Sequence, residues 1–160
     1  MPKETSQKIT PFLWFETGAR EAAKFYLSVF GENAKMEDES SLSDTPSGTV
    51  EIFTIQLFGQ DFTLMTAGPF QKFNESISFV ISCETQEEVD HYWNSLSSVP
   101  ESEQCGWLKD KFGVSWQVVP TALGRLIGDS DREKAGKVQQ AMMNMKKLVI
   151  KDLEDAFNQA

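Results

Sequence analysis

The stretch from Cys105 to Pro120, reading Cys-Gly-Trp-Leu-Lys-Asp-Lys-Phe-Gly-Val-Ser-Trp-Gln-Val-Val-Pro, restricts the possible folds more than any other part of the chain. Apolar residues alternate on either side of Asp110–Gly113, where Gly113 can supply the positive φ that a tight turn demands. Pro120 has no amide proton with which to continue a ladder. The spacing therefore predicts a β-hairpin with an outgoing strand Cys105–Lys109 and a returning strand Val114–Val119. A hairpin needs a sheet to join. The chain before it supplies further strands in two similar passages, and the chain after Pro120 has helical periodicity.

In the first passage Ile9–Phe15 is a short β-prone run, and Thr17-Gly18 offers an N-cap and a turn. Ala19, Ala22, Ala23, Tyr26 and Phe30 then recur at helical spacing, and Gly31 stands where a left-handed C-terminal residue belongs. Ala34–Glu39 reads as an edge strand, and Ser40–Gly48, rich in Ser, Asp, Thr and Pro, as a mobile loop. Thr49–Phe58 and Asp61–Thr66 are predicted strands joined by Gly59-Gln60. After a linker at Ala67–Glu75 the pattern restarts. Ser76–Cys83 alternates, Thr85 and Glu88 form a capping box, and Val89, Tyr92, Trp93 and Leu96 give a second amphipathic helix. The same element order on both sides of the linker predicts a duplicated βαβββ module. Beyond Pro120 come a short helix around Leu123–Ile127 and a helix opened by Ser130 and Glu133. Its Ala135, Val138, Met142 and Met145 share one side, and Leu153, Ala156 and Phe157 group in a last helix. The methionine stripe reads as packing.

Composition removes several classes of function. The 24 Asp+Glu against 15 Lys+Arg leave a formal charge of −9, which opposes phosphate backbones and anionic bilayers, so no nucleic acid and no membrane is expected as a partner. No apolar run approaches the roughly 18 residues of a membrane span, and Met1–Lys8 is polar, so a cytoplasmic location is expected. Cys83 and Cys105, the two cysteines, have no CxxC spacing and read as reduced thiols. The single histidine, His91, excludes His-rich metal centres. A Ser-His-Asp triad would have to run through it, yet it lies off the Val89–Leu96 stripe and reads as solvated. No GxGxxG marks the strand-to-helix turn of a usual S-adenosylmethionine fold.

Ile9-Thr-Pro-Phe-Leu-Trp-Phe15, Phe25-Tyr26 with Phe30-Gly31, the hairpin motif and Met143-Asn-Met-Lys-Lys147 together resemble the PhnB-like branch of the vicinal oxygen chelate superfamily. That superfamily includes glyoxalase I, bleomycin-resistance proteins and extradiol dioxygenases, and the branch often carries the label 3-demethylubiquinone methyltransferase. The resemblance implies an α+β fold: paired βαβββ modules forming an open cup-shaped mixed sheet, with C-terminal helices, in a homodimer. The modules would span 1–66 and 67–120, with a helical extension at 121–160, all in one compact unit. Metal-using members carry His, His and Glu at posts that fall here on Pro11, Ser76 and Gln117. Pro has no side-chain donor, and neutral Ser and Gln bind divalent ions poorly, so neither a metal nor a cofactor is expected.

Strand alternation assigns the cup's lining. With Ile77, Phe79 and Ile81 under the helices, Ser76, Ser78 and Val80 face the other way, as do Ser115, Gln117 and Val119 on the last strand. Thr54 and Gln56 form the polar side of a middle strand, Leu13 and Phe15 join Pro11 on the first, and Trp107 stands at the hairpin's rim. The expected ligand pocket is thus Pro11, Leu13, Phe15, Thr54, Gln56, Ser76, Ser78, Trp107, Ser115 and Gln117, neutral hydrogen-bonding groups over an aromatic floor. It contains no acid, base or metal, and no catalytic residue is assigned. The expectation is a metal-free small-molecule-binding protein. The alternative is an enzyme of the superfamily that acts on a small organic substrate, with a displaced metal or by a metal-free mechanism through Cys105 or a carboxylate outside the lining.

Overall fold

A computed structural model describes residues 7–159, and the chain divides after Phe73 into two units. The first unit runs β1 (Phe12–Phe15), α1 (Ala19–Phe30), a 3-10 turn Gly31–Asn33, β2 (Ala34–Thr45), β3 (Gly48–Leu57) and β4 (Gln60–Thr66), the expected βαβββ order. Its sheet is ordered β1-β4-β3-β2, with β1 parallel to β4 and the other pairs antiparallel. Leu13, Phe15, Phe53, Ile55, Phe62 and Leu64 are buried on one face, the face that α1 covers with Ala22, Ala23, Tyr26 and Phe30. The first turn of α1 is capped from the sheet: Gly18 is left-handed at φ 81°, and Thr66 Oγ1 accepts from Ala19 N–H at 3.0 Å.

Two expectations for this unit are corrected. Ser40–Gly48 is not a loop, because β2 continues to Thr45 and pairs with β3 from Ala34↔Leu57 to Thr45↔Gly48 through two register shifts. Every residue from Lys35 to Asp44 is exposed, so neither face has a core to fill and no apolar period marks the strand. Lys35, Glu37, Asp38, Glu39 and Asp44 place charges along this edge, which deters pairing with a further strand. The β3–β4 turn is Phe58-Gly59 rather than Gly59-Gln60, with φ of 49° and 79°, both positive as a type I′ turn requires. Phe58 is held there because its N–H donates to Asn33 O at 2.7 Å and its ring meets Phe30 edge-on at 5.9 Å.

The second unit runs β5 (Phe79–Cys83), α2 (Gln86–Leu96), a 3-10 turn Pro100–Ser102, β6 (Trp107–Lys109), β7 (Ser115–Pro120), α3 (Thr121–Ile127), α4 (Arg132–Met143) and α5 (Ile150–Asn158). Its sheet is ordered β5-β7-β6, parallel for β5 and β7 and antiparallel for β6 and β7. This module has one strand fewer than the expected βαβββ. The short passage between α2 and β6 is taken up by the 3-10 turn at Pro100, and Ser98 N–H bonds to Lys109 O at 3.0 Å instead of starting a longer ladder. Ile77 is 71% exposed rather than packed, because β5 begins at Phe79. Cys105 and Gly106 have φ of 50° and 87° and stand outside the outgoing strand.

Asp110, 1% exposed, holds the hairpin turn. Its Oδ1 accepts from Phe112 N–H at 2.9 Å and Val114 N–H at 3.1 Å, and its Oδ2 accepts from Trp116 Nε1–H at 2.9 Å. Gly113, at φ 90°, donates its N–H to Asp110 O at 3.0 Å. Behind the hairpin, Leu123, Leu126, Val138, Leu148 and Leu153 form a core against which Met142, Met145 and Phe157 pack. The segment between α4 and α5 is fastened by Cys105 N–H to Met145 O at 2.9 Å and Gly106 N–H to Lys146 O at 2.8 Å. Gln86 donates to Leu148 O at 3.1 Å and accepts from Ile150 N–H at 2.8 Å. Thr85 caps α2 through Glu88 N–H, as expected, whereas α4 is capped by Asp131 through Lys134 N–H and not by Ser130.

Removing the Asp110 carboxylate leaves two amides and an indole N–H without an acceptor in a buried turn. Asp110→Ala is expected to lower stability by about 3 kcal/mol or more, and Asp110→Asn, which keeps one acceptor, by less. Urea unfolding measures both, and a near-zero loss for Asp110→Ala would contradict the clamp.

Candidate functional site

The register of the second sheet settles which side chains share a face. Lys109 lies beside Ser115, Trp107 beside Gln117, and Val80 beside Gln117 on the other flank. The opposite face carries Ile81, Leu108, Trp116 and Val118, all buried. On the first of these faces Gln117 Nε2 donates to Ser78 Oγ at 2.9 Å. Lys109 Nζ pairs with Glu75, and the Glu75 carboxyl is held below the usual carboxylate range by the Lys109 hydrogen bond first, then its own backbone N–H, then attraction to the ammonium charge. Ser115 is 3% exposed and its Oγ has no hydrogen-bond partner, although buried hydroxyls are nearly always satisfied.

Trp107, Ser115 and Gln117 are therefore brought onto one face by the strands that carry them, and Ser78, just ahead of β5, joins them through its hydrogen bond with Gln117. Ser76 lies ahead of β5 in an exposed turn, where its N–H bonds to Asn74 Oδ1 at 2.9 Å.

In the first unit the register divides the expected lining between the two faces. Leu13 lies beside Leu64, which lies beside Phe53, and Leu13 and Phe15 are 8% and 2% exposed in the core under α1. Thr54 lies beside Thr63, which lies beside Phe12, so Thr54 and Gln56 share the opposite face with Phe12 and Trp14. There Thr54 Oγ1 is 3.3 Å from Thr63 Oγ1, Gln56 Nε2 donates to Asp61 Oδ1 at 3.1 Å, and Trp14 Nε1 donates to Gly68 O at 2.9 Å. Pro11 stands just before β1, and its carbonyl accepts from Thr63 N–H at 2.9 Å. A strand reading Phe-Leu-Trp-Phe is apolar at every position, so alternation alone gives no sign of which pair faces the core. Phe12 and Trp14 were missed for that reason. A cleft of about 460 Å³ opens beside the β3–β4 turn, lined by Glu32, Lys35, Gln56 and Phe58 among others, and Gln56 is its one residue from the expected lining.

The residues at the superfamily's metal posts do not fit a divalent ion. Pro11 offers no side-chain donor, Ser76 sits in the exposed turn, and Gln117 offers only a neutral amide oxygen, a poor ligand for such an ion. Among the described residues no group of three or more His, Cys, Asp or Glu side chains could hold a metal ion. His91 is exposed on α2 with its ring edge-on to Tyr92 at 5.0 Å.

A family model described as 3-demethylubiquinone-9 3-methyltransferase matches residues 7–119. Among solved structures, a putative 3-demethylubiquinone-9 3-methyltransferase, PhnB protein, from Bacillus cereus is 33% identical, covering 72% of this chain and 100% of its own, with a TM-score of 0.59. A protein from Pseudomonas aeruginosa is 21% identical over 72% of this chain and 98% of its own, with a TM-score of 0.51. The genomically encoded fosfomycin resistance protein FosX from Listeria monocytogenes is 16% identical over 72% and 93%, with a TM-score of 0.51. The last two share the fold, which is of the glyoxalase/bleomycin-resistance type. No curated protein matches the chain.

The two thiols check the placement of β5 against the hairpin. Burial first, then the Glu88 and Glu84 charges, push the Cys83 thiol up to about 12, whereas Cys105 is half-buried and its Sγ accepts from Gln104 Nε2 at 3.2 Å. Iodoacetamide at pH 8 is expected to label Cys105 in the native protein and Cys83 only after unfolding in urea. Equal native labelling, read by mass spectrometry, would contradict the buried end of β5.

Proposed function

We propose, from the premise that this chain belongs to the 3-demethylubiquinone-9 3-methyltransferase family, the PhnB-like branch of the vicinal oxygen chelate superfamily, that it is a metal-free small-molecule-binding protein. The observation that carries the reading is Ser115: a buried hydroxyl without a partner, on the same face as Gln117 and Trp107. A ligand bearing a hydrogen-bonding group would satisfy that hydroxyl, and the half-buried Trp107 ring offers an apolar surface beside it. The proposed contacts are Ser78, Trp107, Ser115 and Gln117 of the second unit. The same reading makes the protein a cytoplasmic homodimer. Among the described residues no helix is long and apolar enough to cross a membrane.

Methyl transfer, which the family's description names, finds no support in the fold. The usual S-adenosylmethionine domain alternates parallel strands with helices behind a Gly-rich turn. Here each sheet has one parallel pair, the remaining pairs are antiparallel, and the sequence lacks GxGxxG. The proposal is therefore binding. The neutral donors at Ser76 and Gln117 bind divalent ions poorly, so the proposed binding is metal-free.

A library of neutral and aromatic fragments, screened by amide NMR shifts, tests this. Hits are expected to perturb Trp107, Ser115 and Gln117, and Ser115→Ala is expected to weaken them about tenfold, the worth of one hydrogen bond. Hits that leave this face unperturbed, or tight stoichiometric Mn(II) binding to the purified protein, would overturn the reading.

A further inference from the structure

We propose that Lys109 and Ser115 form an anion subsite on the hairpin face, that Glu75 occupies it in the free protein, and that the ligand is therefore a small carboxylate on an apolar body. This rests on the binding reading above and deepens it.

Lys109 and Ser115 are register partners on β6 and β7, so their side chains leave the same face as neighbours. The Lys109 ammonium already holds one carboxylate, that of Glu75. Glu75 belongs to the turn ahead of β5, and its side chain is 62% exposed against 22% for Lys109. An exposed pair of this kind contributes little net stability, so a ligand carboxylate that does more than Glu75 can take its place. The additional contact is at Ser115, whose buried Oγ–H has no acceptor. A carboxylate has two oxygens, one for the ammonium and one for the hydroxyl. No protein group competes for that hydroxyl among the described residues, since Ser115 Oγ has no hydrogen-bond partner, and the neighbouring Gln117 donates its Nε2–H to Ser78 Oγ at 2.9 Å. Two residues along the hairpin, Trp107 lies on the same face, where the apolar body of the ligand would rest. A chain of formal charge −9 repels anions in general, so selective uptake of a carboxylate requires a placed cation, and Lys109 is that cation.

Benzoate and its neutral isostere benzamide distinguish the possibilities, with binding followed through the Trp107 and Ser115 resonances of the intact protein. Benzoate is expected to bind at least tenfold more tightly than benzamide, and added salt is expected to weaken benzoate alone. Lys109→Met is expected to abolish the preference. Glu75→Gln, an exposed substitution that leaves the core untouched, is expected to tighten benzoate at least threefold without changing benzamide, because the internal competitor is gone. Equal binding of the two probes at this face would overturn the anion subsite and leave the binding reading standing. Benzoate binding that Glu75→Gln leaves unchanged would also overturn it. Failure of both probes to perturb the face would overturn the subsite and count against the binding reading as well.

Discussion

One carboxylate fixes the hairpin on which the proposed site depends. Asp110 gathers two turn amides and the Trp116 indole onto its two oxygens, and in doing so sets how many residues separate β6 from β7. The side-chain period of a strand is two, so a slip of one residue would turn Ser115 and Gln117 into the core and Trp116 and Val118 out of it. The clamp thus reaches from local turn chemistry to which side chains share the face opposite the core. Its cost, a buried charged side chain, is offset because the carboxylate is surrounded by donors.

Seen in these terms, the hairpin sequence separates into two sets of residues. Gly106 is structural: a Cβ there would sit 3.0 Å from both Leu148 Cδ1 and Val118 O, so the glycine lets the C-terminal helices close against the strand. Asp110, Gly113 and Trp116 make the turn, and Leu108 and Val118 fill the core. Trp107, Lys109, Ser115 and Gln117 do none of this work, and they share the other face. Two of them, Lys109 and Gln117, hold partners drawn from the chain just before β5. Ser115 holds none.

The legibility of the sequence followed burial. The hairpin, α1, α2 and the face of β5 were readable because each has one dry side and one wet side, which imprints a period on the residues. The α+β class, the βαβββ order of the first unit and the family followed from the same signals and from the motif itself. β2 left no such imprint, since both its faces are wet and only the ladder to β3 defines it. β1 failed for the opposite reason: with apolar residues at every position, Phe12 and Trp14 could not be told from Leu13 and Phe15 until the register to β4 was known. The second module lacks that strand because the passage between α2 and β6 turns at Pro100–Ser102 instead of running extended. The Glu75–Lys109 pair joins residues far apart in sequence and has no local signature at all.

The cross-strand register of β6 and β7 is the most direct test of this account. Nuclear Overhauser contacts in the hairpin are expected to link Leu108 with Trp116 and Trp107 with Gln117, leaving Ser115 beside Lys109. Contacts linking Leu108 with Gln117, or Lys109 with Trp116, would mean a ladder shifted by one residue, and the polar face on which the proposed function stands would not exist.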